Sequence, residues 1–140
     1  MTKRCIRIIN GIRIIKDFME KYKRELYAYN SMISETGYYL KPVHIVVRTM
    51  PNGEKRSYYY YGRYWWKIVY IGKRGRTSRI KWKYLGKRKP LELSKYPEPP
   101  PNPLEGLSYY VQDNDIIVRK KIYEAFKNIF KNAVTIEVDC

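Results

Sequence analysis

The stretch Tyr58-Tyr59-Tyr60-Tyr61-Gly62-Arg63-Tyr64-Trp65-Trp66-Lys67-Ile68-Val69-Tyr70-Ile71 is aromatic or β-branched almost throughout, and it reads as the larger part of one long strand from Lys55 to Ile71. Its flanks supply the partners. Pro51-Asn52-Gly53-Glu54 is a turn leading back to a strand from Val43 to Met50, and Gly72 to Arg76 is a loop leading on to a strand from Thr77 to Leu85. A two-residue turn at Asn52-Gly53 sets Val47 opposite Tyr58 and Ile45 opposite Tyr60. A five-residue loop at Gly72 to Arg76 sets Ile68 opposite Ile80, Trp66 opposite Trp82 and Tyr64 opposite Tyr84. Both connections put apolar residues on one side, which is therefore the predicted buried face. Gly62 marks a bulge or bend in the long strand.

The two-residue period then assigns the other face. It displays Arg48, Tyr59, Tyr61, Arg63, Trp65 and Lys67, joined by Arg79, Lys81 and Lys83. Lys67 falls opposite Lys81, a like-charge pair that is unfavourable unless a polyanion covers it. Lys73, Arg74 and Arg76 in the loop, with Lys87 and Arg88 in the basic exit Gly86-Lys87-Arg88-Lys89-Pro90, complete the candidate nucleic-acid-binding surface.

The charge distribution points the same way. The 140 residues carry 29 Lys and Arg against 13 Asp and Glu, a net +16. Residues 41–90 hold fifteen of those cations and one acid, Glu54, with all three tryptophans. Such self-repulsion makes nucleic acid the leading partner and anionic membrane the second. Interleaved cations and aromatics suit phosphates and base faces.

Outside the sheet, Cys5, Ile8, Ile12, Ile15, Met19, Tyr22, Leu26, Tyr29 and Ile33 recur at spacings of three and four, the stripe of a long helix ended by Gly37. Its start has two readings. The helix from Ile12 to Ile33 extends back through Gly11, or Asn10-Gly11 between isoleucine-rich runs turns a hairpin. Pro97 to Pro103 is a polyproline II spacer. Asp113-Asn114-Asp115 is expected to cap a second helix from Ile116 to Asn132, followed by a short strand around Val134 to Val138. The expected class is α+β: a three-stranded antiparallel β-meander packed on a long N-terminal helix and a C-terminal helix. Residues 1–96 form the basic sheet domain, 97–107 a Pro-rich linker, and 108–140 a segment packed on the same domain. The N-terminal helix is expected to cover the sheet, while a homodimer through amphipathic helices is the other use of such a stripe.

No apolar run approaches the ~20 residues of a transmembrane helix, and the interrupted isoleucines at the start do not read as a signal peptide. A cytoplasmic protein is expected, in the host cell if the source is viral. Cys5 and Cys140 can pair, but reduced thiols are the expectation in a cytosol. With His44 they are too few for a zinc site, and no cofactor or metal is expected. The isoleucine- and tyrosine-rich, alanine-poor composition suggests an A/T-rich genome and a thermophile.

The run Tyr58 to Tyr61, Arg63-Tyr64-Trp65, Gly72-Lys73 and Lys81-Trp82-Lys83-Tyr84-Leu85-Gly86-Lys87 resembles hairpins in small basic proteins of archaeal viruses and plasmids, crenarchaeal ones among them. It also resembles the start of some transposase-like and integrase-like proteins. That resemblance implies DNA binding within a mobile element. The expected function is thus nucleic-acid binding, DNA ahead of RNA, without catalysis. Two alternatives are a metal-independent endoribonuclease toxin, recruiting His44, Arg63, Lys81 and Tyr61, and a structural nucleoprotein that coats a genome.

Overall fold

The structure is a computed structural model that describes residues 3–140. In chain order it comprises β1 (Arg4–Ile8), α1 (Gly11–Met32), β2 (Tyr38–Thr49), β3 (Lys55–Arg74), β4 (Thr77–Gly86), β5 (Ser108–Gln112), β6 (Asp115–Arg119), α2 (Lys120–Phe126) and β7 (Thr135–Asp139). The class is α+β. The sheet, however, is not a three-stranded meander: β2, β3 and β4 belong to a seven-stranded antiparallel sheet in the order β2-β3-β5-β6-β1-β7, with β4 paired to β3. β2 runs along one edge of β3, and β5 and β4 share the other, facing Tyr58 to Tyr60 and Trp65 to Arg74 respectively.

Two of the extra strands, β1 and β6, arise where helix was expected. Residues 4–8 pair with β6 and β7, so the α1 stripe starts at Ile15 rather than Cys5. Asn10-Gly11 turns a strand into a helix, not into a second strand. Asn10 takes a left-handed conformation, φ 56°, and a side chain on Gly11 would collide with Ile116. Asp115 holds this corner. Its carboxylate accepts from the Asn10 N–H at 2.8 Å and from Arg7 Nε at 2.8 Å, and those two donors hold its pKa below the usual carboxylate range. It caps no helix. Asp113 and Asn114 instead link β5 to β6, and α2 shrinks to Lys120–Phe126. The short final strand is present as β7.

α1 buries Ile15, Met19, Tyr22, Leu26 and Tyr29 against one side of the sheet, here the inner face, where Ile6, Ile8, Leu40, Trp65, Tyr109, Ile116 and Val118 lie. Its stripe is thus consumed inside the chain. Asn30 fastens α1 to β2, donating to the Leu40 carbonyl at 3.0 Å and accepting from its N–H at 2.9 Å. The Pro-rich stretch is anchored. Tyr29 donates to the Pro97 carbonyl, and buried Asn102 donates to the carbonyls of Pro42 and Gly62. Those two carbonyls flank the register shift between β2 and β3, so one amide satisfies acceptors that the broken ladder leaves free.

Cys5 and Cys140 are joined in a disulfide, which corrects the expectation of reduced thiols. The reason is topological: β7 pairs antiparallel to β1, setting Cys5 opposite Val138 and bringing Cys140 alongside.

Candidate nucleic-acid interface

The face assignment is the largest correction. The connection between β2 and β3 spans residues 50–54 rather than two residues, so Ile45 faces Tyr59 and Val47 faces Ser57, one residue away from the expected register. On the far edge the turn is tighter than expected. Gly75-Arg76 closes it, and Ile68 faces Trp82 while Tyr70 faces Ile80, a two-residue slip that preserves the sides. α1 then packs on the side carrying Trp65, not the side carrying Trp66. The β3 and β4 residues predicted to be buried lie on the outer face, whereas Ile45 and Val47 of β2 fall on the side of Tyr59 and remain exposed there.

The predicted surface is consequently divided. Trp65 has no solvent exposure and meets Tyr29 edge-on with ring centroids 6.4 Å apart. Tyr59 stacks on Tyr109, and the Tyr61 and Tyr109 hydroxyls share a hydrogen bond at 2.6 Å. Burial pushes both the Tyr61 and the Tyr109 hydroxyl pKa up, so these groups stay protonated. The same cause raises Tyr22 on α1 to about 12. Lys67 donates to the Thr36 carbonyl at 2.7 Å and lies over the Tyr38 ring, while Arg63 faces Glu98 at 3.9 Å. These residues brace the core.

The remaining predicted cations stay exposed, most of them on an arm. β2 pairs with β3 only as far as Lys67, so β3 from Ile68 to Arg74 pairs with β4 alone. Seven residues of strand extend roughly 20 Å. This ribbon carries Lys73, Arg74, Arg76, Arg79, Lys81 and Lys83 with no acid, and every residue from Lys73 to Leu85 is exposed. None of these six cations forms an ion pair among the described residues. Lys67 meets Lys83 instead of Lys81, so a like-charge pair persists with a new partner. Arg88 is exposed beyond the arm.

On the outer face, side chains expected in the core form a half-open aromatic cluster. Lys41 Nζ lies 4.8 Å from the Trp66 ring and 4.6 Å from the Trp82 ring, which also meets Tyr39 edge-on. His44 lies against Tyr64 and Tyr84, and Lys87 over Tyr64. Arg48 covers Tyr58 and Arg56 covers Tyr110. Each cation lies over an aromatic ring, with Arg48 and Lys87 exposed and Lys41 and Arg56 partly buried. The set His44, Arg63, Lys81 and Tyr61 is not brought together: His44 is on the outer face, while the Tyr61 hydroxyl is inside with Tyr109. Among the described residues no three His, Cys, Asp or Glu side chains gather as a metal site. No helix is long and apolar enough to cross a membrane.

Lys41, Trp66, Trp82 and Tyr84 were missed as surface residues because alternation groups side chains without saying which group a helix will cover. Arg48 and Lys87 were among the predicted cations; Lys41 on β2 and Arg56 on β3 gave no local signal, and only the pairing of the strands sets them beside the exposed rings.

Fold and surface together define an α+β protein with one helix-backed antiparallel sheet, a basic two-stranded arm and an open aromatic face. In comparison with known proteins, this chain matches no family model, no curated protein and no solved structure.

Proposed function

We propose that this chain binds nucleic acid, DNA ahead of RNA, with the β3–β4 arm as its principal contact and the outer aromatic face beside it. The observation that carries the reading is the arm itself: six unpaired cations on a narrow ribbon without a carboxylate. A two-stranded ribbon fits the major groove of B-form DNA, whereas the deep, narrow major groove of A-form RNA excludes it. The wet, acid-free arm is suited to phosphate neutralisation, and Ile80 and Trp82 add apolar edges that can touch bases. The hairpin's resemblance to basic proteins of archaeal viruses and plasmids supports a place in a mobile element.

Gel-shift titration across salt tests the reading. With six phosphates neutralised, affinity for duplex DNA falls about a thousandfold between 50 and 200 mM salt. Replacing Arg74, Arg76 and Arg79 together with Gln lowers affinity and flattens the salt slope by about three. A slope near zero in the unaltered protein, or an unchanged slope in the variant, removes the arm from the interface.

A further inference from the structure

At the β5 and β6 end of the outer face lies a recess of about 330 Å³ that neither the core nor the arm uses. Tyr58, Tyr60 and Tyr110 line it together with the apolar side chains of Ile117 and Ile122. Arg48 enters from β2 and Arg119 from β6, and no Asp or Glu lines the space. Neither arginine forms an ion pair or a side-chain hydrogen bond among the described residues. Arg48 is held 4.9 Å over the Tyr58 ring, and Tyr58 meets Tyr110 at 5.5 Å between centroids. Arg56, outside the lining, lies 4.5 Å over the Tyr110 ring and adds a third positive charge nearby.

We infer that this recess binds one nucleoside monophosphate unit, its phosphate on Arg48 and Arg119 and its base against the tyrosine and isoleucine lining. The volume is at the small end of ligand sites, larger than a bare phosphate requires. The chemistry is divided as such a ligand is divided. Guanidinium groups present paired N–H donors to phosphate oxygens, and tyrosine rings offer flat apolar faces to a base. The inference rests on the nucleic-acid reading for the polymer, because a strand end or displaced nucleotide brought along the outer face would reach this recess. It does not rest on it for a free nucleotide.

The test uses the full chain with its disulfide intact, titrated with dAMP, deoxyadenosine and inorganic phosphate and followed by NMR shifts of the tyrosine rings. dAMP is expected to bind at least about tenfold more tightly than either fragment. Arg48→Gln and Arg119→Gln each weaken dAMP about tenfold with the circular dichroism spectrum unchanged, and the Arg74, Arg76 and Arg79 variant leaves it untouched. A 5′-phosphorylated oligonucleotide that outcompetes its unphosphorylated form assigns the recess to a strand end; equal competition beside firm dAMP binding assigns it to the free nucleotide. No dAMP binding at millimolar concentration, or binding indifferent to both arginine substitutions, overturns the inference. If duplex binding is absent while dAMP still depends on Arg48 and Arg119, the proposed function fails and the recess stands.

Discussion

The two halves of β3 obey the same alternation and meet opposite fates. From Lys55 to Lys67 the strand lies against β2 on one edge, with β5 facing Tyr58 to Tyr60 and β4 facing Trp65 to Lys67 on the other, and α1 covers its inner side around Trp65. From Ile68 to Arg74 it has β4 alone. Trp65 is fully buried in the first half, while Trp82, which pairs with the second, is 38% exposed. Both halves are rich in aromatic and β-branched residues. What differs is the third partner: a two-stranded ribbon cannot bury a face, so its apolar residues stay wet and its cations stay free. Lysines along β4 also discourage other strands from docking on its open edge.

This contrast can be broken at chosen points. Trp65→Ala empties the centre of the inner face and is expected to cost about 3–5 kcal/mol in denaturant unfolding, while Trp82→Ala costs under about 1 kcal/mol. Similar losses at both positions would mean that the arm packs as the body does. Replacing Cys140 with Ser, or reducing the protein, is expected to lower stability by about 2–5 kcal/mol, a fall in Tm of about 5–15 °C. Hydrogen exchange should then accelerate in β1 and β7 and stay the same in the arm, where amides exchange fast already. The smallest effect concerns the β1–α1 corner. Because the Asp115 carboxyl is depressed in the folded chain, its stabilisation is present above the unfolded carboxylate pKa and lost as pH falls through the lower folded value. Asp115→Asn should cost about 1 kcal/mol at neutral pH and shrink the stability difference between pH 7 and pH 3; an unaltered pH dependence would show that Arg7 and the Asn10 N–H do not hold it.

Local patterns were legible in the sequence where a single element determines them. The spacing from Ile15 to Ile33 located α1 and its buried side. The positions of β2, β3 and β4, the irregularity at Gly62 and the concentration of cations in residues 41–90 could likewise be read along the chain. The inner and outer faces could not. Trp65 and Trp66 are adjacent and equally apolar, as are Tyr58 to Tyr61, so either side of the strand could have been core. A one-residue shift of register, set by the connection after Thr49, sufficed to change the partners of β2. The missed hairpin had a trace of its own: Tyr109-Tyr110-Val111 and Ile116-Ile117-Val118 are β-branched or aromatic runs around a short polar turn. The acidic Asp113-Asn114-Asp115 resembled a helix cap, and only contact with Arg7, more than a hundred residues away, shows its use. Sites assembled from distant strands leave no local spacing to read.

The bridge between Cys5 and Cys140 turns residues 5–140 into a covalent ring, with the arm as a loop of that ring. Tension applied through the two sulfur-bearing residues runs across the S–S bond and does not load the sheet. A protease that cuts the exposed Gly75-Arg76 turn therefore leaves a single molecule of unchanged mass apart from one added water, and its two fragments separate on a denaturing gel only after reductant is added.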